Sequence, residues 1–403
     1  MMTETRVLDI YLAYRKIGTI VALDGDRAIF SFADDYAADP DRPTLSLGYR
    51  DTYGALIDEP RAHRVRLEPF FSNLLPEGAL KEYLARRVGV KALREFQLLA
   101  ALGGDLPGAV RAVPSEVASA DLAQVSEVAA ALPPRLRFSL AGAQLKFSAL
   151  KNQGKKGGLT LPVEGESGEW IVKLPSTNFA NLPENEFSIM TLAGLVGIDV
   201  PEIELLPIDR VEGLPTGVEQ LGESAFAIRR FDRSPQGRIH IEDFAQVFRV
   251  CPEDKYETAT YRNILEVLAD ATDGQSIDQF IRRLTFSVLV GNGDMHLKNW
   301  SLIYPDGRSP ILSPAYDLLS TIAYLPGDQA ALKFRRSKEW GEFNEGTLVR
   351  LADKARIAMR PVLRAARETV ERFDTAWSEE KTKLPLPTKL IEAIEKHRSG
   401  LAI

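Results

Sequence analysis

Cysteine is nearly absent from this chain: a single residue, Cys251, excludes an intramolecular disulfide framework and fits a reducing compartment. Long apolar runs are absent too, and none approaches the roughly 20 residues that a membrane-spanning helix needs. The N-terminus, MMTETRVLDIYLAYRK, lacks the sustained apolar core of a signal peptide. No long basic run offsets a formal charge of -6, so tight unaided binding to nucleic acid is not expected, although a local basic patch stays open. These absences lead us to expect a cytoplasmic protein without membrane association. What is present is ordinary for a globular protein: 45% hydrophobic and 26% charged residues in a chain of 403. That length suits two or three domains of roughly 100–200 residues each.

The chain begins as β. Leu8, Ile10, Leu12 and Tyr14 alternate, and a second apolar run over 17–23 meets a third at 28–32 through Asp24-Gly25-Asp26, a strong hairpin signal. From residue 69 the spacing turns helical in FFSNLLPEGALKEYLARRVGV and REFQLLAALGG. This first unit is expected to close near residue 110. Residues 111–136, rich in alanine, serine and proline, read as a connection. Strands are then expected at 137–150, 170–174, 202–207 and 225–231, with a helix over 183–197 that Gly197 caps. Beyond residue 232 the pattern is mainly helical; Ser276 and Gln279 are expected to form a capping box for a helix over 277–290. The fold class is α+β.

That last helix delivers GNGDMHLKNWSLIYPDGRSPILSPAY (291–316) and then Asp317. Asp294 and Asn299 stand five positions apart, and a hairpin through Pro305-Asp306-Gly307 leads to the second acid. In phosphoryl transfer a carboxylate accepts or orients the proton of the attacking hydroxyl, while oxygen ligands hold magnesium against the phosphates. Asp294 suits the first task, Asn299 and Asp317 the second. The bland alternative is a surface loop whose polar residues cap a helix and start a hairpin. His296 invites a zinc reading, but no second histidine or cysteine lies nearby, which favours a structural or phosphate-contacting role. Lys298 is either a phosphoryl-neutralising cation or a solvated lysine.

Other stretches carry weaker signals. In SLAGAQLK, Gly142 between Ala141 and Ala143 allows a tight turn whose amides could face phosphate; taken alone, with one glycine and no G-x-G-x-x-G, the stretch reads better as a plain hairpin. Lys173 in WIVKLP sits in an apolar strand and needs a partner, for which Glu186 on the next helix is the natural choice. An edge-strand lysine and a solvated first-turn acid are the alternatives. Arg229, Arg230, Asp232 and Arg233 mark the junction between the sheet-rich and helical halves, as an adenine-side hinge or a salt-bridged surface turn.

FSLAGAQLKFSAL, WIVKLP, ENEFSIMTLAGLVGI, RRFDR, GNGDMHLKNWSL and LSPAYDLLST, in that order, resemble the HipA family of serine/threonine kinase toxins from bacterial type II toxin–antitoxin modules. FFSNLLPEG and LLAALGGDLPGA are similar to that family's N-terminal subdomain. The resemblance spans nearly the whole chain. It implies a bilobal, protein-kinase-like fold with a β-rich N-terminal subdomain (1–110), a kinase-like N-lobe (111–232) and a mostly helical C-lobe (233–403). It also implies ATP and Mg2+ as cofactors and a protein serine or threonine as acceptor; aminoacyl-tRNA synthetases are targets within the family. By matching motifs Asp294 would be catalytic, with Lys298 beside it, and Asn299 and Asp317 would bind magnesium. Lys173 with Glu186, Lys146 and the loop Ala141, Gly142, Ala143, Gln144 would contact ATP, as would Arg229, Phe231 and His296. Ser139 matches the family's autophosphorylation serine, where nearly two added negative charges would expel the loop from ATP phosphates. The implied partner is a HipB-like helix-turn-helix antitoxin, through which operator DNA would mainly be bound. Departures from ordinary kinases are GDMH in place of H-R-D and AYD in place of D-F-G. Two other readings stay open: a lipid or small-molecule kinase, and a non-catalytic corepressor acting with a DNA-binding antitoxin.

Overall fold

A computed structural model describes residues 6–115, 146–151, 158–160, 168–176, 178–214, 222–325 and 327–403. The β start is a meander. β1 (Val7–Leu12), β2 (Arg15–Leu23) and β3 (Arg27–Phe32) pair antiparallel, with Leu23 opposite Arg27 across the Asp-Gly-Asp turn. Leu8, Ile10 and Leu12 are buried by alternation, but Tyr14 does not continue the pattern: Ala13 adopts φ 54°, ends β1, and leaves Tyr14 84% exposed. β4 (Ala62–Arg64) and β5 (Val110–Pro114) complete the sheet order β4-β3-β2-β1-β5. β5 runs past the expected boundary at 110 because it pairs with β1, Leu12 opposite Val110 and Leu8 opposite Pro114.

The second sheet holds β6 (Lys146–Lys151), β7 (Leu159–Thr160), β8 (Trp170–Lys173), β9 (Ile203–Pro207), β10 (Val211–Glu212) and β11 (Ser224–Arg229), in the order β10-β7-β6-β8-β11-β9. All its pairs are antiparallel except β10 with β7. Strand alternation divides its faces. Trp170, Val172, Ala225 and Ala227 pack with Leu80 and Leu84 of the Gly78–Arg87 helix, while Phe226, Ile228 and Ile171 join the core that includes the Leu182–Val196 helix. The first unit keeps a core of its own, from Leu8 to Ala112, and lends one helix to the lobe that follows.

β12 (Arg233–Ser234) and β13 (Gly237–Arg238) form a two-stranded ribbon, and in the C-terminal half β14 (His240–Asp243), β15 (Ser301–Tyr304) and β16 (Ile311–Leu312) form a small sheet. β15 and β16 are the expected hairpin; β14 was not legible as a strand because four residues show too little alternation. Helices Tyr261–Ala271, Gly274–Val290, Glu345–Lys354, Met359–Glu380 and Thr388–Ser399 supply the rest. The expected capping box at Ser276 and Gln279 does not form. Asp273 caps instead, its carboxylate accepting from Ser276 N at 2.8 Å, while Ser276 Oγ accepts from Leu312 N and Gln279 Oε1 from Asp199 N. Among the described residues, no helix is long and apolar enough to cross a membrane.

Candidate active site

Alternation along β8 turns Lys173 to the same side as Ile171, toward the Leu182–Val196 helix. The register places Lys146 directly opposite Lys173 across β6 and β8, and both are buried. Two like charges in that position destabilise a sheet unless something neutralises them. Two carboxylates do. Glu186 accepts from Lys173 Nζ at 2.5 Å, and Asp317 forms a second ion pair with the same ammonium. Burial opposes the charge on Lys173, yet Asp317 and Glu186 outweigh it and raise its pKa. Burial would likewise raise Asp317, but Lys173 and Lys146 hold its carboxyl far below the ordinary carboxylate range. Burial lowers Lys146 against the attraction of Asp317.

Opposite this quartet lies the loop 291–299. Gly291 ends the Gly274–Val290 helix at φ 64°, where a Cβ would also lie 2.6 Å from Ile322; a Cβ on Gly293 would stand 2.2 Å from the Asp328 carboxylate. Asn292 Oδ1 accepts from Asp294 N at 3.0 Å, and Asn299 Nδ2 donates to Asp294 O at 2.8 Å, so Asp and Asn at this spacing close the loop on itself. The Asp294 carboxylate accepts from the Tyr256 hydroxyl at 2.5 Å and remains 45% exposed. Partial burial raises its pKa, with the Tyr256 hydrogen bond and Lys255 pulling the other way. His296 packs edge-on against Tyr256 at 4.9 Å. Burial, reinforced by Lys255, lowers its pKa to about 3, so it is a neutral ring. Among the described residues no three His, Cys, Asp or Glu side chains gather as a metal cluster.

Lys298 is not a solvated lysine. Its ammonium donates to Asn73 O at 2.8 Å and Asn73 Oδ1 at 3.0 Å, and it pairs with Asp243 at 3.2 Å and Glu77 at 3.4 Å. In this arrangement its N–H groups serve those oxygens, which come from the first unit and from the end of β14. At the junction Arg230 is buried and the Arg233 side chain is 7% exposed, so their ion pairs lie within the junction and not on an open surface turn. They bind Asp232 and Asp105, and Asp232 also accepts from Gly108 N at 2.8 Å, which clasps the first unit to the lobe. Arg229 is exposed and pairs with Glu202 at 3.6 Å; the Phe231 ring lies 5.7 Å from that of Tyr316.

One cleft of about 730 Å³ unites these groups. Its walls include Lys146, Lys173, Glu186, Arg229, Phe231, Asp294, His296, Lys298, Asn299 and Asp317. Ser139, Ala141, Gly142, Ala143 and Gln144 lie outside the described residues. Asn73, Glu77, Asp243, Lys255 and Tyr256 also line the cleft and were missed. Apart from the FFSNLLPEG stretch that holds Asn73 and Glu77, no local pattern flags them, because each matters through a partner distant in sequence.

The fold and the cleft are those of a two-lobed, kinase-like protein. The family model for the HipA-like C-terminal domain matches residues 138–377, and that for the HipA N-terminal domain matches residues 8–113. This chain belongs to the HipA family. Among curated relatives, Y4dM of Sinorhizobium fredii, which carries a provisional kinase name, is 53% identical over 397 residues, covering 98% of this chain and 97% of Y4dM. The serine/threonine-protein kinase toxin HipA of Shewanella oneidensis is 26% identical over 365 residues, 80% of this chain and 76% of that protein. A solved structure of a Shewanella oneidensis HipA, in complex with HipB and operator DNA, superposes with a TM-score of 0.70 at 22% identity, covering 97% of this chain and 95% of that one.

Proposed function

We propose that this chain is an ATP- and Mg2+-dependent protein serine/threonine kinase, the toxin of a HipBA-type module. The observation that carries the reading is the cleft in which Lys173, paired with Glu186, and Asp317 face Asp294 and Asn299. Its size is in the usual range for a small-molecule site, roughly 300–1,000 Å³. Asn299 commits its amide N–H to the loop, so its Oδ1 is the end that suits a cation, and Asp317 is a second hard oxygen donor. Bound Mg·ATP would supply the transferable phosphoryl group and screen its charge. The chain's own residues would do the rest. Lys173 and Lys146 would hold phosphate oxygens, Phe231 would wall the base-side end, and Asp294 would take the proton of the acceptor hydroxyl.

The acceptor in this reading is a serine or threonine on a translation-related protein such as an aminoacyl-tRNA synthetase. Ser139 is the autophosphorylation site that silences the enzyme. The regulatory partner is a HipB-like antitoxin; the net charge of -6 is one reason to assign operator contact mainly to that partner. Incubating lysate with γ-labelled ATP and the protein tests this. Label should enter a protein band at serine or threonine, and Asp294→Asn should reduce it by about 10²–10⁴-fold. Label found only in small metabolites would overturn the protein-kinase reading. Intact mass and peptide mapping of protein made without its antitoxin should find phosphate on Ser139.

A further inference from the structure

We propose that Tyr256 is a positioning residue for the Asp294 carboxylate, and that Glu77 of the first unit anchors it through Lys255. The inference rests on the reading of Asp294 as proton acceptor and adds a residue and a route that the reading does not require. A carboxylate turns easily about its last torsion, and Asp294 is 45% exposed, so packing alone does not hold it. The Tyr256 hydroxyl does, donating to Oδ1 at 2.5 Å. Among the described residues the carboxylate accepts no other hydrogen bond, which leaves Oδ2 to an incoming hydroxyl. Burial and the Asp294 charge push the phenol pKa well above its ordinary value, so Tyr256 remains a donor.

Tyr256 is itself held on several sides. Its ring stands edge-on to His296 at 83°, and the Lys255 ammonium lies 5.6 Å from the ring centre. That ammonium pairs with Glu77 at 2.7 Å, and the Lys255 carbonyl accepts from Leu297 N in the loop 291–299 at 3.3 Å. Glu77 also reaches Lys298, beside Asn299, at 3.4 Å. A phenol fixed this way is part of the wall rather than a passing occupant of the acceptor position.

The test uses full-length protein and ADP release from Mg·ATP with water as acceptor. Tyr256→Phe keeps the ring and removes the hydroxyl; kcat should fall about tenfold with KM for ATP little changed, since the lost contact acts on the transferring step. Glu77→Gln should move kcat the same way by about threefold. In an Asp294→Asn background, Tyr256→Phe should have no further effect, because the group it positions is gone. A wild-type kcat in Tyr256→Phe, a faster one, or an equal loss in the Asp294→Asn background would each overturn the inference. If Asp294→Asn is inactive and Tyr256→Phe is not impaired, only this inference fails; if Asp294→Asn keeps full ADP release, the underlying reading fails as well.

Discussion

Asp317 and Asp294 are aspartates on facing walls of one cleft, and their surroundings push them in opposite directions. Burial acts upward on both. Asp317 meets two lysines, Lys173 and Lys146, and is driven well below the ordinary range; Asp294 has a neutral hydroxyl as its direct partner and is raised. The lysines near Asp294 are held elsewhere, Lys298 by Asn73, Asp243 and Glu77, and Lys255 by Glu77. Glu242 extends the series. It is fully buried with Tyr304, Ser46 and Leu47 N as donors and, among the described residues, no cation partner, and burial raises it to about 7. A carboxylate kept ionised suits a cation ligand, and one whose pKa is raised is the more basic of the two and suits a proton acceptor. The separation of the two environments, more than the count of acids, is what the proposed phosphoryl transfer would use.

The contrast can be broken from either side. Asp294→Asn should lower phosphoryl transfer by about 10²–10⁴-fold while ATP still binds, as single-turnover kinetics and nucleotide titration would show. On the other wall, Lys173→Ala removes the direct ion pair of Glu186 and Asp317, whose side chains are 2% and 23% exposed, and leaves Lys146 as the remaining cation near them; it should cost about 3–5 kcal/mol in urea unfolding. Adding Glu186→Gln should recover part of that loss.

For Glu242 the sign follows from its shift. The folded protein keeps a proton that the unfolded chain releases between 4.5 and about 7. Its stabilising contribution is therefore complete below the unfolded pKa and is lost as pH rises through the folded one, by up to about 3 kcal/mol. Glu242→Gln should flatten that part of the stability–pH curve. The smallest effect is expected at Asn73, where Asn73→Ala removes hydrogen bonds to Lys298 and to the Val250 and Pro69 carbonyls, about 1–3 kcal/mol by unfolding.

Much of this was legible in local pattern. Alternation marked β1, short apolar runs marked β8 and β11, the Asp-Gly turn marked the first hairpin, and the apolar face ending at Gly197 marked the helix that carries Glu186. The spacing of Asp294, Asn299 and Asp317 marked the loop and its acids. Other features could not be read locally. The capping box failed because Asp273 outcompeted Ser276, and Tyr14 left its alternation at a left-handed residue. The first unit runs a few residues past 110 because β5 pairs with β1, and the packing of its Gly78–Arg87 helix against the second sheet has no local signature.

The sequence by itself determined which chemical groups are present, on which elements, and in what order, since propensity, alternation and capping act over a few residues. Only the tertiary structure decided which charges are free. Whether Lys298 is a cation for phosphate or a ligand of Asn73, Asp243 and Glu77, and whether an aspartate is lowered or raised, depends on burial and on partners up to 225 residues away in the chain.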